Sequence, residues 1–148
     1  MPDNVSPDLT TTIDHAPVFL IEDDDVVRLG CEQALTLADV PVQSFADAES
    51  ALAALATQTP AVVVTDVRLP GRDGLAVLRE MLQHDRQLPV ILITGHGDVT
   101  MAVAAMRAGA YDFMEKPFYS ERLVDVVRRP RTRLLVFGNA ECVFSRVP

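Results

Sequence analysis

The sequence predicts a doubly wound α/β domain on a five-stranded parallel sheet, and three observations carry that prediction. Val18-Phe19-Leu20-Ile21, Ala61-Val62-Val63-Val64 and Val90-Ile91-Leu92-Ile93 are short apolar runs without polar alternation, the pattern of strands buried on both faces. Segments with helical periodicity separate these runs, and strands alternating with helices through short loops specify a parallel sheet. Ionisable or hydroxyl residues also collect where the strands end: Glu22 and Asp23, Asp66, Thr94 and, just past the fifth, Lys116. Open α/β sheets place their ligands at that edge.

Taken in order, residues 1–16 read as a flexible leader, rich in Pro, Asp, Ser and Thr. Val18 to Ile21 is the first strand, and it runs into Glu22-Asp23-Asp24-Asp25. Val27, Cys31, Leu35 and Ala38 then mark one face of a helix. Pro41 to Phe45 is a second strand, and Asp47 is placed to cap an Ala-rich helix through Ala56. The third strand ends on Asp66, and Pro70-Gly71 breaks the chain into a loop. Leu75, Leu78 and Leu82 mark a third helix, ending near His84. Pro89 to Thr94 is the fourth strand; Asp98 is placed to cap a fourth helix, which Gly109 stops. Tyr111 to Met114 is a fifth strand, Lys116-Pro117 a turn, and Ser120 a cap for the last helix, with Leu123, Val126 and Val127 facing inward. Pro130 is expected to end that helix, giving a domain over residues 17–129 and a tail, residues 130–148, of uncertain structure.

Composition narrows the function classes. A chain of 148 residues suits one domain, and no apolar run approaches the ~18–20 residues needed to span a bilayer. No charged-then-apolar leader is present, and Cys31 and Cys142 lack metal-ligand spacing, so a reduced cytoplasmic protein is expected. A net charge of -8 argues against direct nucleic-acid binding by the whole surface.

The strand-end residues point to a chemistry. Carboxylates crowded into one crevice repel each other unless a cation intervenes. Oxygen donors of this kind suit Mg²⁺, which takes one or two carboxylates and keeps several waters. Lys116 adds a point charge suited to a phosphoryl group. Together they describe an aspartate nucleophile, a metal that neutralises phosphoryl charge, and a lysine and threonine that hold the product oxygens.

Ile21-Glu22-Asp23-Asp24, Asp66-Val67-Arg68-Leu69-Pro70-Gly71-Arg72-Asp73-Gly74, Ile93-Thr94-Gly95 and Lys116-Pro117-Phe118 together resemble the receiver domain of two-component response regulators. The resemblance covers about Pro17 to Arg129 and implies the flavodoxin-like receiver fold, strand order 2-1-3-4-5. It implies that Asp66 accepts a phosphoryl group from a sensor histidine kinase, with Mg²⁺ as cofactor. Asp23, Asp66 and the backbone carbonyl of Arg68 would bind the metal directly, and Glu22 through water. Thr94 and Lys116 would engage the phosphoryl oxygens, over a cis Lys116–Pro117 bond. Glu22 departs from the aspartate common at its position, and its extra methylene is expected to weaken metal binding without abolishing it.

Thr94-Gly95-His96-Gly97-Asp98-Val99 and Gly109 through Phe118 look most like receivers of dicarboxylate-transport and nitrogen-type transcriptional activators. The chain therefore reads as a phosphoryl-accepting switch with a transcriptional output, not a turnover enzyme, its output domain absent from these residues. Thr94 and Phe113 fall at the family's switch positions, with Tyr111 the other aromatic candidate. Arg68, together with His96, is expected to cover the phosphoryl group and slow attack by water. The fourth helix is nearly bare of polar residues. It suggests a phosphorylation-dependent homodimer, or output-domain contact, through helix 4, strand 5 and helix 5. The competing reading is a pseudo-receiver, the same fold binding a partner protein without phosphorylation; loss of the acceptor, lysine or acidic pair would mark it, and none is lost.

Overall fold

The computed structural model describes residues 16–135 apart from His96, with side chains described as far as Pro130. Its elements are β1 (Val18–Ile21), α1 (Asp25–Leu37), β2 (Val42–Phe45), α2 (Ala48–Leu55), β3 (Val62–Asp66), α3 (Gly74–His84), β4 (Val90–Thr94), α4 (Val99–Ala108), β5 (Asp112–Glu115) and α5 (Ser120–Leu135). The five strands form one parallel sheet in the order β2-β1-β3-β4-β5. This is the expected flavodoxin-like receiver fold.

Alternation along the strands divides the core into two layers. Val18, Leu20, Val62, Val64, Ile91, Ile93 and Met114 pack against Cys31 and Leu35 of α1 and Leu123, Val126 and Val127 of α5. Phe19, Ile21, Val63, Val90 and Leu92 pack against α2, α3 and α4 through Ala48, Ala51, Val77, Leu78, Met81 and Ala105. Every residue of β1, β3 and β4 is buried, which is why those strands read as unbroken apolar runs.

Four local expectations are corrected. The last helix passes through Pro130 to Leu135 rather than stopping at the proline. Pro130 is itself buried and continues the stripe of Leu123, Val126 and Val127, so packing offsets the roughly 3 kcal/mol cost of an interior proline. Ser120 is the first residue of α5 rather than its cap, and the Leu123 N–H instead bonds back to the Tyr119 carbonyl. Strand β5 lies one residue later than expected, because its register is set by pairing with β4, Ile91 opposite Asp112 and Thr94 opposite Glu115. The loop after Asp66 contains a short antiparallel hairpin, Arg68–Leu69 with Arg72–Asp73, turned by Gly71 at φ 72°. The leader to residue 15 and the tail beyond residue 135 lie outside the described residues. Among those described, no helix is long and apolar enough to cross a membrane.

Candidate functional site

Strand parity explains why three distant residues meet. Glu22 follows Leu20 by two positions, Asp66 follows Val64, and Lys116 follows Met114, so all three continue the face covered by α1 and α5. Lys116 is on the edge strand's exit, two strands from β3, so only a long side chain can reach Asp66 across about 10 Å of sheet. Its Nζ donates to Asp66 Oδ2 at 2.8 Å and lies 3.4 Å from Glu22 Oε1. The Lys116–Pro117 peptide bond is cis. Asp66 Oδ1 accepts the Arg68 backbone N–H at 2.9 Å, so both carboxylate oxygens of Asp66 are engaged.

Glu22 is only 1% exposed, and burial pushes its carboxyl above the ordinary glutamate range. The Asp24 N–H, bonded to Oε2 at 3.1 Å, and the Lys116 charge oppose that push, while the Asp66 charge adds to it. Burial also works against the Lys116 charge, but the hydrogen bond to Asp66 and the charges of Asp66 and Glu22 outweigh it and raise its pKa. The two partners thus differ: the ammonium gains from the site, whereas Glu22, with only a long contact, pays for being ionised there. A carboxyl raised on folding contributes stability below its unfolded value and loses it as pH climbs through the folded value. Glu22→Gln is therefore expected to raise the denaturation midpoint at neutral pH. The gain over the parent should vanish below the ordinary Glu value of 4.5. Urea titrations across that range would check it; a variant less stable than the parent at neutral pH would show that the ionised carboxylate is not under strain.

The other expected residues are placed as follows. Asp23 is exposed at the end of β1, one residue beyond the buried Glu22. Thr94 is 2% exposed, and its hydroxyl donates to the Met114 carbonyl at 3.3 Å rather than to Asp66. Phe113 is 39% exposed and lies outside the core, so it is not a core aromatic; Tyr111 packs against the α1/α5 layer. His96 lies outside the described residues. The Arg68 guanidinium, expected over the acceptor, instead holds Asp98 through Nε–Oδ2 at 3.2 Å and Nη2–Oδ1 at 2.9 Å. Asp98 makes no side-chain cap on α4, contrary to expectation, and its backbone there stands at φ -88° and ψ 41° rather than extended. That helix turns its small residues, Ala102 and Ala105, to the sheet and leaves Val99, Val103 and Met106 exposed.

Among the described residues, no three His, Cys, Asp or Glu side chains converge at metal-binding spacing. The strand end is thus no all-protein cage. Its hard oxygen donors do fit Mg²⁺, whose coordination sphere needs only one or two carboxylates besides carbonyl, water and phosphoryl oxygens.

Three features of the site escaped the sequence reading. Arg72 bonds Glu49 of α2 at 2.9 Å and also Glu80 of α3, stapling the hairpin beside Asp66 to two helices. Arg28 donates to the Glu22 carbonyl at 2.7 Å, fixing the start of the acidic loop. Gly74 opens α3 directly against the Val67 backbone: a Cβ there would stand 2.3 Å from the Val67 carbonyl oxygen. Only the Asp73-Gly74 pair, a cap followed by a residue without a side chain, left a trace that could have been read.

Comparison with known proteins agrees with this geometry. The response regulator receiver domain family matches residues 18–128. The chain is 50% identical over 123 residues to the C4-dicarboxylate transport transcriptional regulatory protein DctD of Rhizobium meliloti, covering 82% of this chain and 27% of DctD. It is 41% identical over 112 residues to the DNA-binding transcriptional regulator NtrC of Salmonella typhimurium, covering 76% of this chain and 24% of NtrC. The chain thus spans about a quarter of the length of these curated relatives. Full-length FixJ from B. japonicum superposes with a TM-score of 0.79 at 36% identity, over 87% of this chain and 64% of FixJ. The receiver domain of NtrX from Brucella abortus gives 0.74 at 38% identity, over 78% and 98%.

Proposed function

Since this chain belongs to the response regulator receiver domain family, we propose that it is a phosphoryl-accepting signalling switch in which Asp66 is the acceptor. The observation that carries this reading is the Lys116 ammonium, 2.8 Å from Asp66 and 3.4 Å from Glu22. It sets beside a nucleophilic carboxylate a charge that can follow the phosphoryl oxygens. The donor is the phosphohistidine of a sensor histidine kinase. An Asp66 oxygen attacks phosphorus, the P–N bond breaks, and the imidazole leaves with the bonding electrons and takes up a proton. Hydrolysis reverses the load: water attacks phosphorus, the P–O bond to Asp66 breaks, and the carboxylate is regenerated as inorganic phosphate leaves.

Asp23, Asp66 and the Arg68 carbonyl would hold Mg²⁺, with Glu22 behind a water. The ion would supply neutralisation of phosphoryl charge during transfer. Lys116 orients the same oxygens. Thr94 exchanges its bond to the Met114 carbonyl for one to the phosphoryl group, which opens space toward Phe113. The exposed Val99, Val103 and Met106 of α4, with Phe113 and Tyr119, form the surface for a phosphorylation-dependent homodimer or output-domain contact through α4, β5 and α5. The output is transcriptional, in keeping with relatives named as transcriptional regulators.

Intact-mass analysis after incubation with acetyl phosphate tests the proposal. One phosphoryl group per chain is expected with Mg²⁺ present and none with EDTA or in Asp66→Asn. Equal labelling of the parent and Asp66→Asn would refute it.

A further inference from the structure

Arg68 and Asp98 join the hairpin after β3 to the start of α4 through two hydrogen bonds between complementary charges. Asp98 occupies the N-cap position of α4, yet its side chain makes no capping bond. Elsewhere in this chain the same residue type at the same position does cap: Asp24 on α1, Asp47 on α2 and Asp73 on α3. Those three cap from extended backbone, at ψ 117°, 166° and 124°, whereas Asp98 stands at φ -88° and ψ 41° with its carboxylate turned to Arg68. The Arg68 side chain is 72% exposed and lies two residues from Asp66, whose Oδ1 holds the Arg68 backbone N–H. A phosphoryl group on Asp66 would bring about -2 charge and three strong acceptor oxygens within the neighbourhood of that guanidinium, a stronger attraction than one carboxylate.

We propose that Asp98 is a positioning residue: it holds the Arg68 guanidinium off the acceptor and, once Asp66 is phosphorylated, releases it to the phosphoryl oxygens, swings its backbone to the extended conformation of the other three aspartate caps and caps α4. The inference rests on Asp66 being the phosphoacceptor and adds a route from that residue to a helix. The Arg68 charge then shields the phosphoryl group from water. The freed Asp98 carboxylate accepts the N–H of Thr100 or Met101 and stiffens the first turn, beside the exposed Val99 and Val103. Chemistry at the end of β3 is thereby converted into order at the start of α4 by exchange of one arginine between two anions.

The test uses the whole chain and two readouts: amide hydrogen exchange at Thr100 and Met101 by NMR, and the lifetime of the phosphorylated form after acetyl phosphate is removed. Asp98→Asn keeps a good cap but not the charge that holds Arg68. Without phosphodonor, exchange in the first turn of α4 should slow about fivefold, the equivalent of a ~1 kcal/mol cap, and the phosphorylated lifetime should lengthen about threefold. Arg68→Ala frees Asp98 to cap, so exchange should slow likewise, but the lifetime should shorten about threefold. Asp98→Ala should leave first-turn exchange unslowed and unresponsive to phosphorylation. A pair that merely ties two loops would make both Asp98→Asn and Arg68→Ala exchange faster and move their lifetimes in the same direction; either result overturns the proposal. The exchange measurements need no phosphodonor. Slowed exchange in both variants with no label on Asp66 would therefore refute the phosphoacceptor reading and, with it, the switch, while leaving the competition for Asp98 standing.

Discussion

Gly74→Ala is expected to cost at least about 3 kcal/mol of stability, the scale of severe overpacking against an unyielding neighbour. The added Cβ would lie 2.3 Å from the Val67 carbonyl oxygen and 2.8 and 2.9 Å from the Val67 Cα and carbonyl carbon. All three are backbone atoms, so no rotamer change can make room. Val67 directly follows Asp66, and its N–H bonds to the Ile93 carbonyl at 3.0 Å. Any shift that relieves the clash therefore moves Asp66 or tears at the β3–β4 ladder. Gly30→Ala provides the contrast. That glycine lies inside α1 with nothing within 4 Å of the added atom, so alanine should stabilise by about 1 kcal/mol through helix propensity alone. Chemical denaturation of both variants checks the pair, and a Gly74→Ala protein within 1 kcal/mol of the parent would contradict this packing.

Lys116→Met is expected to slow phosphorylation by acetyl phosphate about 100-fold, the usual loss when one preorganised charge or donor is removed from a developing anion. Methionine keeps much of the apolar stem, so the change isolates the ammonium. Stability should fall as well. Asp66 and Glu22 side chains are 11% and 2% exposed, and without the lysine two carboxylates share the strand end with no cation. Breaking a fully buried pair costs several kcal/mol; a third of the Lys116 side chain is in solvent, which reduces the expectation to about 1–2 kcal/mol. The sign of the pH dependence follows from the raised pKa of Lys116. Its contribution is complete below the ordinary lysine value of 10.5 and is lost only as pH rises through the higher folded value. The gap between parent and variant should thus persist through the neutral range. A variant phosphorylated at the parental rate would remove Lys116 from the chemistry.

Much of this architecture was legible because a doubly covered parallel sheet leaves a strong trace. β1, β3 and β4 must be apolar on both faces, and a polar residue that ends such a run marks the strand's exit. Glu22, Asp66 and Thr94 were found in that way, and the motifs around them added Lys116. Parity then brought Glu22, Asp66 and Lys116 to one face without any further signal being needed. Side-chain pairing between distant loops leaves no periodic trace, which is why Arg72 with Glu49 and Glu80 was invisible. The Arg68–Asp98 pair spans 30 residues, and Asp98 before a helix reads simply as a cap. Pro130 misled for a different reason: a local rule for helix stops met a proline that is itself buried, on a helix whose backbone runs on to Leu135. Strand β5 slipped by one residue because partly exposed edge strands carry a weaker apolar pattern than central ones.

Which carboxylate carries the phosphoryl group is the question on which everything else depends, and borohydride trapping answers it at residue resolution. Hydride converts an aspartyl phosphate to homoserine as phosphate departs, leaving a permanent mark on the acceptor. Peptide mapping of the chain treated with acetyl phosphate, Mg²⁺ and then borohydride should find homoserine at position 66 alone. A mark on Glu22 or Asp23, or no mark while intact mass still shows a bound phosphoryl group, would contradict the assignment of Asp66.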